Sequence, residues 1–293
     1  MEDYPLLVKG LEKSFRKKLG MSSFKAVDSI DFYLSEGEIL GFLGPNGAGK
    51  TTTIKCILGL LKPTSGSVLL WGQRPATPEA RKRIGYVPEN PDYDDSFTPL
   101  EFMMMFSQMR RLNMRKDKML SILERVRLPK WENVKIRNFS KGMRQRVSLA
   151  LALQSDPDLL IMDEPTGGLD PVARKEFRDI ILEENQRGAS IFLSSHLLSE
   201  VETICDRAVI LSKGRKVSEG NLEDLMRTED NYRIEYLMPD REEHEPVEIE
   251  IEAAVLQQTI NDLSGKGYRI ISVNPVYRSL EQVFLSATCG GDI

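Results

Sequence analysis

The sequence is poor in the residues that build metal clusters and disulfide frameworks. Among its 293 residues there are only three cysteines and two histidines. Cys56, Cys205 and Cys289 are far apart in the chain and do not have a metal-ligand spacing. This usage excludes a disulfide-stapled secreted domain and favours a reducing compartment, in which the thiols are packed or idle.

Long apolar runs and a positive bulk charge are also lacking. No run of 18 or more apolar residues occurs, so no membrane-spanning segment is predicted. The start MEDYPLLVKG is acidic and has no apolar core of signal-peptide length, so we expect no secretion signal. The net charge of -4 and the pI of about 5.5 argue against a nucleic-acid partner. Any work at a membrane is therefore expected to proceed through a partner.

The stretch GPNGAGKTT at 44–52 follows the apolar run ILGFL and precedes a helical pattern. Such a strand-to-helix junction directs backbone N–H groups and the positive end of a helix dipole to one place, which favours a bound anion. The pattern G-x-x-x-x-G-K-[ST] of nucleoside-triphosphate loops is matched by Gly44, Gly49, Lys50 and Thr51. We expect Lys50 to reach the β- and γ-phosphates and the Thr51 hydroxyl to bind Mg²⁺. The pattern alone does not separate a kinase, a GTPase and a transport motor.

Two acidic residues end a second apolar run, in DLLIMDEP at 158–165. An acid at the end of a buried strand holds Mg²⁺ in P-loop enzymes, which is the role expected for Asp163. The next residue, Glu164, is positioned to polarise an attacking water. The competing interpretation is a pair of carboxylates that merely cap a loop.

Strand and helix patterns alternate along most of the chain. Strands are predicted within 6–43, at 68–72 and at 83–90, and the residues from 99 to about 128 have a helical period. We expect a three-layer α/β core in a domain at 1–222, with a helical lobe at about 90–155. A polar stretch at 219–231 indicates a boundary, and a small α+β domain is predicted at 223–293.

One further motif points to a family. NFSKGMRQR at 138–146 opens a predicted helix ahead of the acidic strand and resembles the signature motif of ATP-binding cassette (ABC) proteins. The other matches occur in the family's order: Phe15 at the adenine-stacking position, GPNGAGKTT as Walker A, YVPEN as the Q-loop, LLIMDEP as Walker B, GGLD as the D-loop and SSH as the switch histidine. The resemblance covers about residues 5–220. The end of the chain, RSLEQVF at 278–284, is similar to the tail of bacterial and archaeal ABC-2 type exporter ATPases.

The resemblance implies a P-loop NTPase fold with a RecA-like core, an antiparallel β-subdomain and a helical lobe. It implies an ATPase that uses ATP and Mg²⁺ and works with a second cassette, identical or not. ATP on Walker A of one chain would meet the signature helix of the other chain. A separate transmembrane permease subunit would read this closure, which implies a peripheral location at the cytoplasmic face of the membrane.

The resemblance also implies roles for individual residues. Glu164 would act as the general base or water positioner, and His196 would contact the γ-phosphate and orient the attacking water. The residues expected to serve Mg²⁺ are Thr51, Glu89 and Asp163. The expected nucleotide contacts are Phe15, Gly44, Pro45, Asn46, Gly47, Ala48, Gly49, Lys50, Thr51, Thr52, Ser140, Gly142 and Asp170.

Two positions depart from the usual family pattern. Lys141 replaces the first glycine of the signature, where it adds a positive charge that faces either ATP or solvent. Glu89 stands where the Q-loop commonly has glutamine, and its carboxylate can bind Mg²⁺ but adds a negative charge near phosphate. Both variants also occur in the exporter subgroup.

Three other functions compete with a transporter subunit. A soluble ABC ATPase of translation or DNA repair would usually have two cassettes or a long coiled-coil insert, and this chain has neither feature. A small-molecule P-loop kinase does not fit the signature helix or SSH. A regulatory cassette without turnover is disfavoured because Glu164 and His196 are present.

The charge distribution raises a separate hypothesis. Residues 101–150 contain 13 Lys and Arg against 4 Asp and Glu, whereas residues 221–260 contain 3 against 12. The helical lobe faces the membrane partner in this family, and anionic lipid headgroups attract each nearby Lys or Arg by about 1 kcal/mol. Contact with headgroups is one expectation for Arg110, Arg111, Arg115 and Lys116. A solvated helix face is the other.

Overall fold

The computed structural model describes residues 4–15, 23–238 and 246–289. The chain divides into two units, Met1–Gly220 and Asn221–Ile293, called unit 1 and unit 2 below. The assignment of the second unit as an accessory domain stays a prediction.

Unit 1 is built around a six-stranded sheet. Its strands are β3 (Ile39–Leu43), β5 (Ile84–Val87), β6 (Leu159–Asp163), β7 (Ser190–Ser195), β8 (Arg207–Ser212) and β9 (Arg215–Asn221). They lie in the order β5-β6-β7-β3-β8-β9, and the neighbours from β5 to β8 pair in parallel. Every residue of β3, β6 and β7 is buried, as expected for parallel strands that are covered on both faces. Because these three strands are adjacent and parallel, the segments that follow them start at the same edge of the sheet.

Alternate residues of the central strands contribute to two apolar cores. In β6, Leu159 and Ile161 pack into one core, whereas Leu160 and Met162 pack into the other. This alternation follows from the two-residue period of a strand. The sheet therefore has an apolar layer on each face, which confirms the predicted three-layer α/β arrangement.

A second sheet of unit 1 is antiparallel and contains β1 (Leu6–Phe15), β2 (Phe24–Leu34) and β4 (Ser65–Leu69) in the order β2-β1-β4. The residues Phe15 and Phe24 are opposite each other in the β1–β2 register. Gly66 has a φ of 76°, and a Cβ added there would lie 2.0 Å from the Gly10 carbonyl oxygen, so only glycine fits this approach. This sheet is the antiparallel subdomain that the resemblance implied.

The helices of unit 1 are α1 (Lys50–Ile57), α2 (Pro78–Lys82), α3 (Pro99–Met109), α4 (Lys116–Arg125), α5 (Lys141–Leu153), α6 (Pro171–Gln186) and α7 (Leu198–Ile204). Helix α3 begins with a capping box in which the Glu101 N–H donates to Thr98 Oγ1 at 3.2 Å and the Thr98 N–H donates to Glu101 Oε2 at 2.8 Å. Across the parts of the chain that the structure describes, none of the helices has the length and apolar character that a bilayer crossing requires.

Two helix predictions are corrected by the structure. The helical period from 99 to 128 belongs to two helices, because Arg111 and Asn113 take φ values of 56° and 47° and turn the chain between α3 and α4. The sequence also predicts that the helix after the phosphate loop ends near Lys62 and Pro63. Helix α1 instead ends at Ile57, and Gly59 follows with a φ of 68°. Neither Gly nor Pro marks the turn at 110–115, so the sequence did not indicate it.

Unit 2 has an antiparallel sheet of β10 (Arg227–Leu237), β11 (Val247–Glu252) and β12 (Arg269–Tyr277), in the order β11-β10-β12. Its helices are α8 (Leu222–Met226), α9 (Leu256–Gly265) and α10 (Leu280–Cys289). A small core forms around the buried Ile234, Tyr236 and Leu263. The unit is an α+β arrangement in which the polar stretch at 219–231 contains α8 and the start of β10.

Candidate active site

The phosphate-loop motif lies between β3 and α1. Strand β3 ends at Leu43, and α1 begins at Lys50 with Gly49 as its N-cap. Gly49 has a φ of 104°, and a Cβ there would lie 2.5 Å from the Ala26 carbonyl oxygen. Only glycine therefore allows the loop to turn so sharply into the helix. The N–H groups at the start of α1 are left available to an anion.

The Lys50 ammonium is buried at the centre of this region. Lys50 is 6% exposed, and its Nζ donates to the Gly44 carbonyl oxygen at 2.6 Å. The same Nζ lies 3.1 Å from Glu164 Oε1. A phosphate that binds the Lys50 ammonium competes with the Glu164 carboxylate for the positive charge of Lys50.

The two acids at the end of β6 are held by the neighbouring strand. Ser194 of β7 is opposite Asp163, and its hydroxyl donates to Asp163 Oδ1 at 2.7 Å. The Glu164 N–H lies 3.1 Å from both the hydroxyl oxygen and the carbonyl oxygen of Ser194. Glu164 itself takes a φ of 48°, so the chain turns at this residue, directly after β6. The role of Ser194 was not predicted, because its pairing with β6 is a tertiary contact.

The Glu164 carboxylate also joins the segment after β7. Its Oε2 accepts the His196 backbone N–H at 3.2 Å and contacts His196 Nδ1. Glu164 is 8% exposed, whereas 49% of the His196 side chain is exposed. Lys50, Glu164 and His196 therefore form one contiguous polar cluster with the histidine on its open side.

A cavity of about 310 Å³ opens next to this cluster. Its walls contain predicted site residues from the Walker A, Q-loop, Walker B and switch-histidine motifs: Pro45, Asn46, Gly47, Gly49, Lys50, Thr51, Thr52, Glu89, Glu164 and His196. Gly44, Ala48 and Asp163 are not part of the wall, but each is adjacent in the sequence to a residue that is. Residues from four separate chain segments thus line a single space, which is wide enough for the phosphates of a nucleotide.

The aromatic wall of the cavity is formed by Phe24, with Ala26 beside it. Phe24 is 55% exposed, and its cross-strand partner Phe15 is 40% exposed. Sequence reasoning selected Phe15 and missed Phe24, although both are exposed aromatic residues at the same end of the antiparallel sheet. An exposed phenylalanine at a strand end was the available signal, and only the register showed which one lines the cavity.

The residues near the predicted metal position fit Mg²⁺. Within the described residues there is no cluster of three or more His, Cys, Asp or Glu that could hold a metal ion. Mg²⁺ in phosphate sites needs only one or two protein ligands, since substrate oxygens and water complete its octahedron. Thr51 and Glu89, in the cavity wall, have side-chain oxygen atoms of this kind. So does Asp163, which directly precedes the wall residue Glu164. Burial, followed by the negative charges of Asp163 and Glu89, raises the pKa of the nearby Tyr86 to about 12.

The signature residues lie on a different part of unit 1, at the starts of two helices. Ser140 is the N-cap of α5, and its hydroxyl oxygen accepts the Met143 N–H at 3.3 Å. Asp170 is the N-cap of α6, and its Oδ1 accepts the Val172 and Ala173 N–H groups at 3.0 and 2.9 Å. Neither Ser140 nor Asp170 lines the cavity, and both are exposed.

Close packing joins these two helix starts. Gly142 is buried, and a Cβ there would lie 3.1 Å from the Cβ of Ala173. Lys141 extends over the D-loop, since its Nζ would lie 2.8 Å from a Cβ added at Gly168. The Lys141 ammonium is thus beside the loop at 167–170.

Comparison with known proteins gives a consistent result. A family model described as ABC transporter matches residues 27–167. The ABC transporter ATP-binding protein YdbJ of Bacillus subtilis (strain 168) is 36% identical, over 97% of this chain and 96% of its own length. The Nod factor export ATP-binding protein I of Cupriavidus metallidurans is 39% identical, over 69% of this chain and 68% of its own length.

Among solved structures, a dimeric bacterial ABC transporter cassette superimposes with a TM-score of 0.67 and 25% identity, covering 74% of this chain and 98% of that one. This covered share is close to the share of the sequence that unit 1 occupies.

Proposed function

The chain belongs to the family of ABC transporter ATP-binding proteins, and we propose that it powers an ABC-2 type exporter through a separate transmembrane subunit. It is an ATP-binding, ATP-hydrolysing subunit. The export assignment is supported by the 39% identical relative, whose name describes Nod factor export, and by the RSLEQVF tail. Its place of action would be the cytoplasmic face of the membrane, where it binds peripherally.

The observation that carries the proposed chemistry is the cluster of Lys50, Glu164 and His196 at one cavity. Hydrolysis requires a water that attacks the γ-phosphorus while the β–γ bridging oxygen leaves with ADP. Glu164 orients this water and accepts its proton, and His196 holds the geometry of both water and γ-phosphate. Lys50 offsets the charge of the phosphoryl oxygens. Mg²⁺, served by Thr51, Asp163 and Glu89, would supply further neutralisation of the phosphates.

A second cassette would complete the site. Ser140 and Asp170, at the N-termini of α5 and α6, are exposed and lie outside the cavity, so they are available to a nucleotide on another chain. Gly142 is buried between the two helix starts and would allow their close packing beside that nucleotide. A helix N-terminus is suited to the γ-phosphate because its N–H groups and dipole favour negative charge. Two chains would close over two ATP molecules and open after hydrolysis, because only ATP favours the closed pair.

The transmembrane subunit would bind a groove in the helical lobe. This groove has a volume of about 630 Å³ and is lined mainly by apolar residues of α3, α5 and the segment at 88–93. Its rim includes Met109, which is 73% exposed, and the basic side chains of Arg81 and Arg110. Since Glu89 lies in the segment between the groove and the nucleotide cavity, a helix in the groove would sense the state of the site.

The basic surface of the lobe is a further candidate for membrane contact. Arg111 and Lys116 are exposed, and Arg115 is exposed while it pairs with Asp117 at 3.1 Å. Arg110 instead donates to Ser155 Oγ and the Arg81 carbonyl oxygen, both at 3.3 Å. We expect a variant with alanine at all four positions to sediment less with anionic liposomes at low salt. Equal sedimentation of both proteins would end the lipid hypothesis.

The proposed function is tested with Glu164→Gln. This change keeps the size of the side chain but removes the proton acceptor, so we expect ATP hydrolysis to fall by about 100-fold or more. ATP should then hold the variant as a dimer in gel filtration, whereas the wild type stays largely monomeric.

Glu183→Gln is the matched control, because Glu183 is a partly exposed carboxylate of α6 that pairs with Arg127 at 2.8 Å. It should hydrolyse ATP like the wild type. A monomeric Glu164→Gln protein in ATP would contradict the two-chain mechanism. Co-purification with ribosomes or DNA in place of a polytopic membrane protein would favour a translation or repair ATPase.

A further inference from the structure

A buried carboxylate that the mechanism above does not use lies behind the active site. Glu200 belongs to α7, the helix that follows His196, and is 4% exposed. Its Oε2 accepts the hydroxyl of Thr166, and its Oε1 lies 3.1 Å from Arg174 Nε. Thr166 is also 4% exposed, so this contact is shielded from water.

The two partners of Glu200 hold the same loop at two points. Thr166 lies in the loop at 165–169, which connects Glu164 to Asp170. Arg174 lies in the first turn of α6, and its Nη2 donates to the Leu169 carbonyl oxygen at 3.2 Å. The loop is therefore tied to α7 directly through Thr166 and indirectly through Arg174.

Burial of the Glu200 carboxylate costs free energy, so its presence in the interior requires an explanation. Burial raises the pKa of Glu200, and the Thr166 hydroxyl and the charges of Arg174 and Arg178 oppose that rise. A buried ion pair contributes little net stability compared with apolar packing, but it does specify one geometry among several. The geometry specified here is the position of the 165–169 loop relative to the segment that holds His196.

We propose that Glu200 is a positioning residue that couples the His196 segment to the loop ending at Asp170. His196 would respond to the γ-phosphate in its own chain, and Asp170 would lie at the seam with the second chain. A displacement of α7 would then move Thr166 and Leu169, and with them the N-terminus of α6. The inference rests on the proposed two-chain function, and it identifies Glu200 as the link between the two nucleotide sites.

The test compares Glu200→Gln and Thr166→Val with a matched control. Glu184 is an equivalent buried carboxylate, 2% exposed, which accepts from Arg125 Nε at 3.2 Å and Arg187 at 2.5 Å away from the cavity. Glu184→Gln therefore also neutralises a buried ion pair in unit 1. Thr166→Val replaces the hydroxyl group with a methyl group. It breaks the same contact from the other side, so the proposal can still be tested if Glu200→Gln misfolds.

We expect kcat of Glu200→Gln to fall about 10-fold, which corresponds to an activation free energy raised by about 1.4 kcal/mol. The Kd for ATP should stay within about twofold, and the Hill coefficient for ATP should approach one. Thr166→Val should change the same quantities in the same direction, and Glu184→Gln should change none of them.

Hydrogen exchange supplies a readout that does not depend on activity. The Gly167 N–H donates to the Glu164 carbonyl oxygen and the Leu169 N–H to that of Thr166, both at 3.1 Å. Both amides should exchange faster in Glu200→Gln and Thr166→Val than in the wild type. A wild type without ATP hydrolysis would overturn the proposed function. An active wild type whose exchange, kcat and Hill coefficient match those of both variants would overturn the coupling role alone.

Discussion

The two halves of the proposed active site differ in how completely one chain builds them. On the phosphate-loop side, Lys50, Asp163 and Glu164 are at most 8% exposed and have polar partners from other chain segments. On the signature side, Ser140 and Asp170 are exposed, and their side-chain oxygens accept N–H groups of their own helices. The first half is preorganised by tertiary contacts, and the second is organised locally.

This difference has a physical consequence for assembly. A buried charge requires partners within the same fold, so the phosphate-loop side must be complete before nucleotide arrives. An exposed helix N-terminus needs no partner, since water can satisfy its free N–H groups. Nucleotide binding should therefore be a property of one chain, and hydrolysis a property of two. The following predictions test this division.

The largest effect is expected for Lys50→Met, which removes the buried ammonium from the phosphate-loop side. ATP binding should weaken strongly and turnover should fall by about 100-fold or more, as when a donor to a developing negative charge is lost. Lys55→Met is the control, because Lys55 is exposed in the last turn of the same helix. Nucleotide binding by titration and phosphate release check the result. Retained ATP affinity in Lys50→Met would show that the buried Lys50 ammonium does not hold the phosphates.

A smaller effect is expected when the signature side is changed by charge alone. Ser140→Asn and Ser140→Asp both keep a good N-cap for α5, so neither should destabilise the fold by more than a few tenths of a kcal/mol. Asp adds a negative charge where a γ-phosphate would approach. Turnover and ATP-driven dimerisation should fall about 10-fold more in Ser140→Asp than in Ser140→Asn, while ATP binding by the monomer stays unchanged. Equal turnover in the two variants would place this face away from phosphate.

The smallest effect is expected for Phe24→Ala, which removes the aromatic wall of the cavity. Stacking of a base on an aromatic ring is worth about 1–3 kcal/mol, and an exposed ring is expected near the lower limit. Phe24→Ala should therefore raise the Kd for ATP by about fivefold. Phe15→Ala should raise it less, because Phe15 is the strand partner of Phe24 and not part of the cavity wall. A larger loss in Phe15→Ala would restore it as the adenine platform.

The sequence predicted local features of the chain better than contacts between distant segments. Glycines, caps and strand ends act within a few residues, so GPNGAGKTT predicted the loop and NFSKGMRQR predicted the start of α5. Apolar periodicity failed at 110–115, where two helices meet at a turn that lacks Gly and Pro. Phe24 and Glu200 were missed because their significance depends on which segments pack beside them.

By itself, the sequence determined the family, the order of strands and helices around the phosphate loop, and most of the residues that line the cavity beside it. These properties depend on short-range backbone preferences and on motif spacing. The tertiary structure alone decided that Ser194 donates to Asp163, that Phe24 lines the cavity, and that Glu200 of α7 contacts Thr166 in the loop after the acidic strand. Each of these features depends on residues that are distant in the chain, so only the packing of strands and helices decides it. The parallel pairing of β6 with β7, for example, brings Ser194 within hydrogen-bonding distance of Asp163.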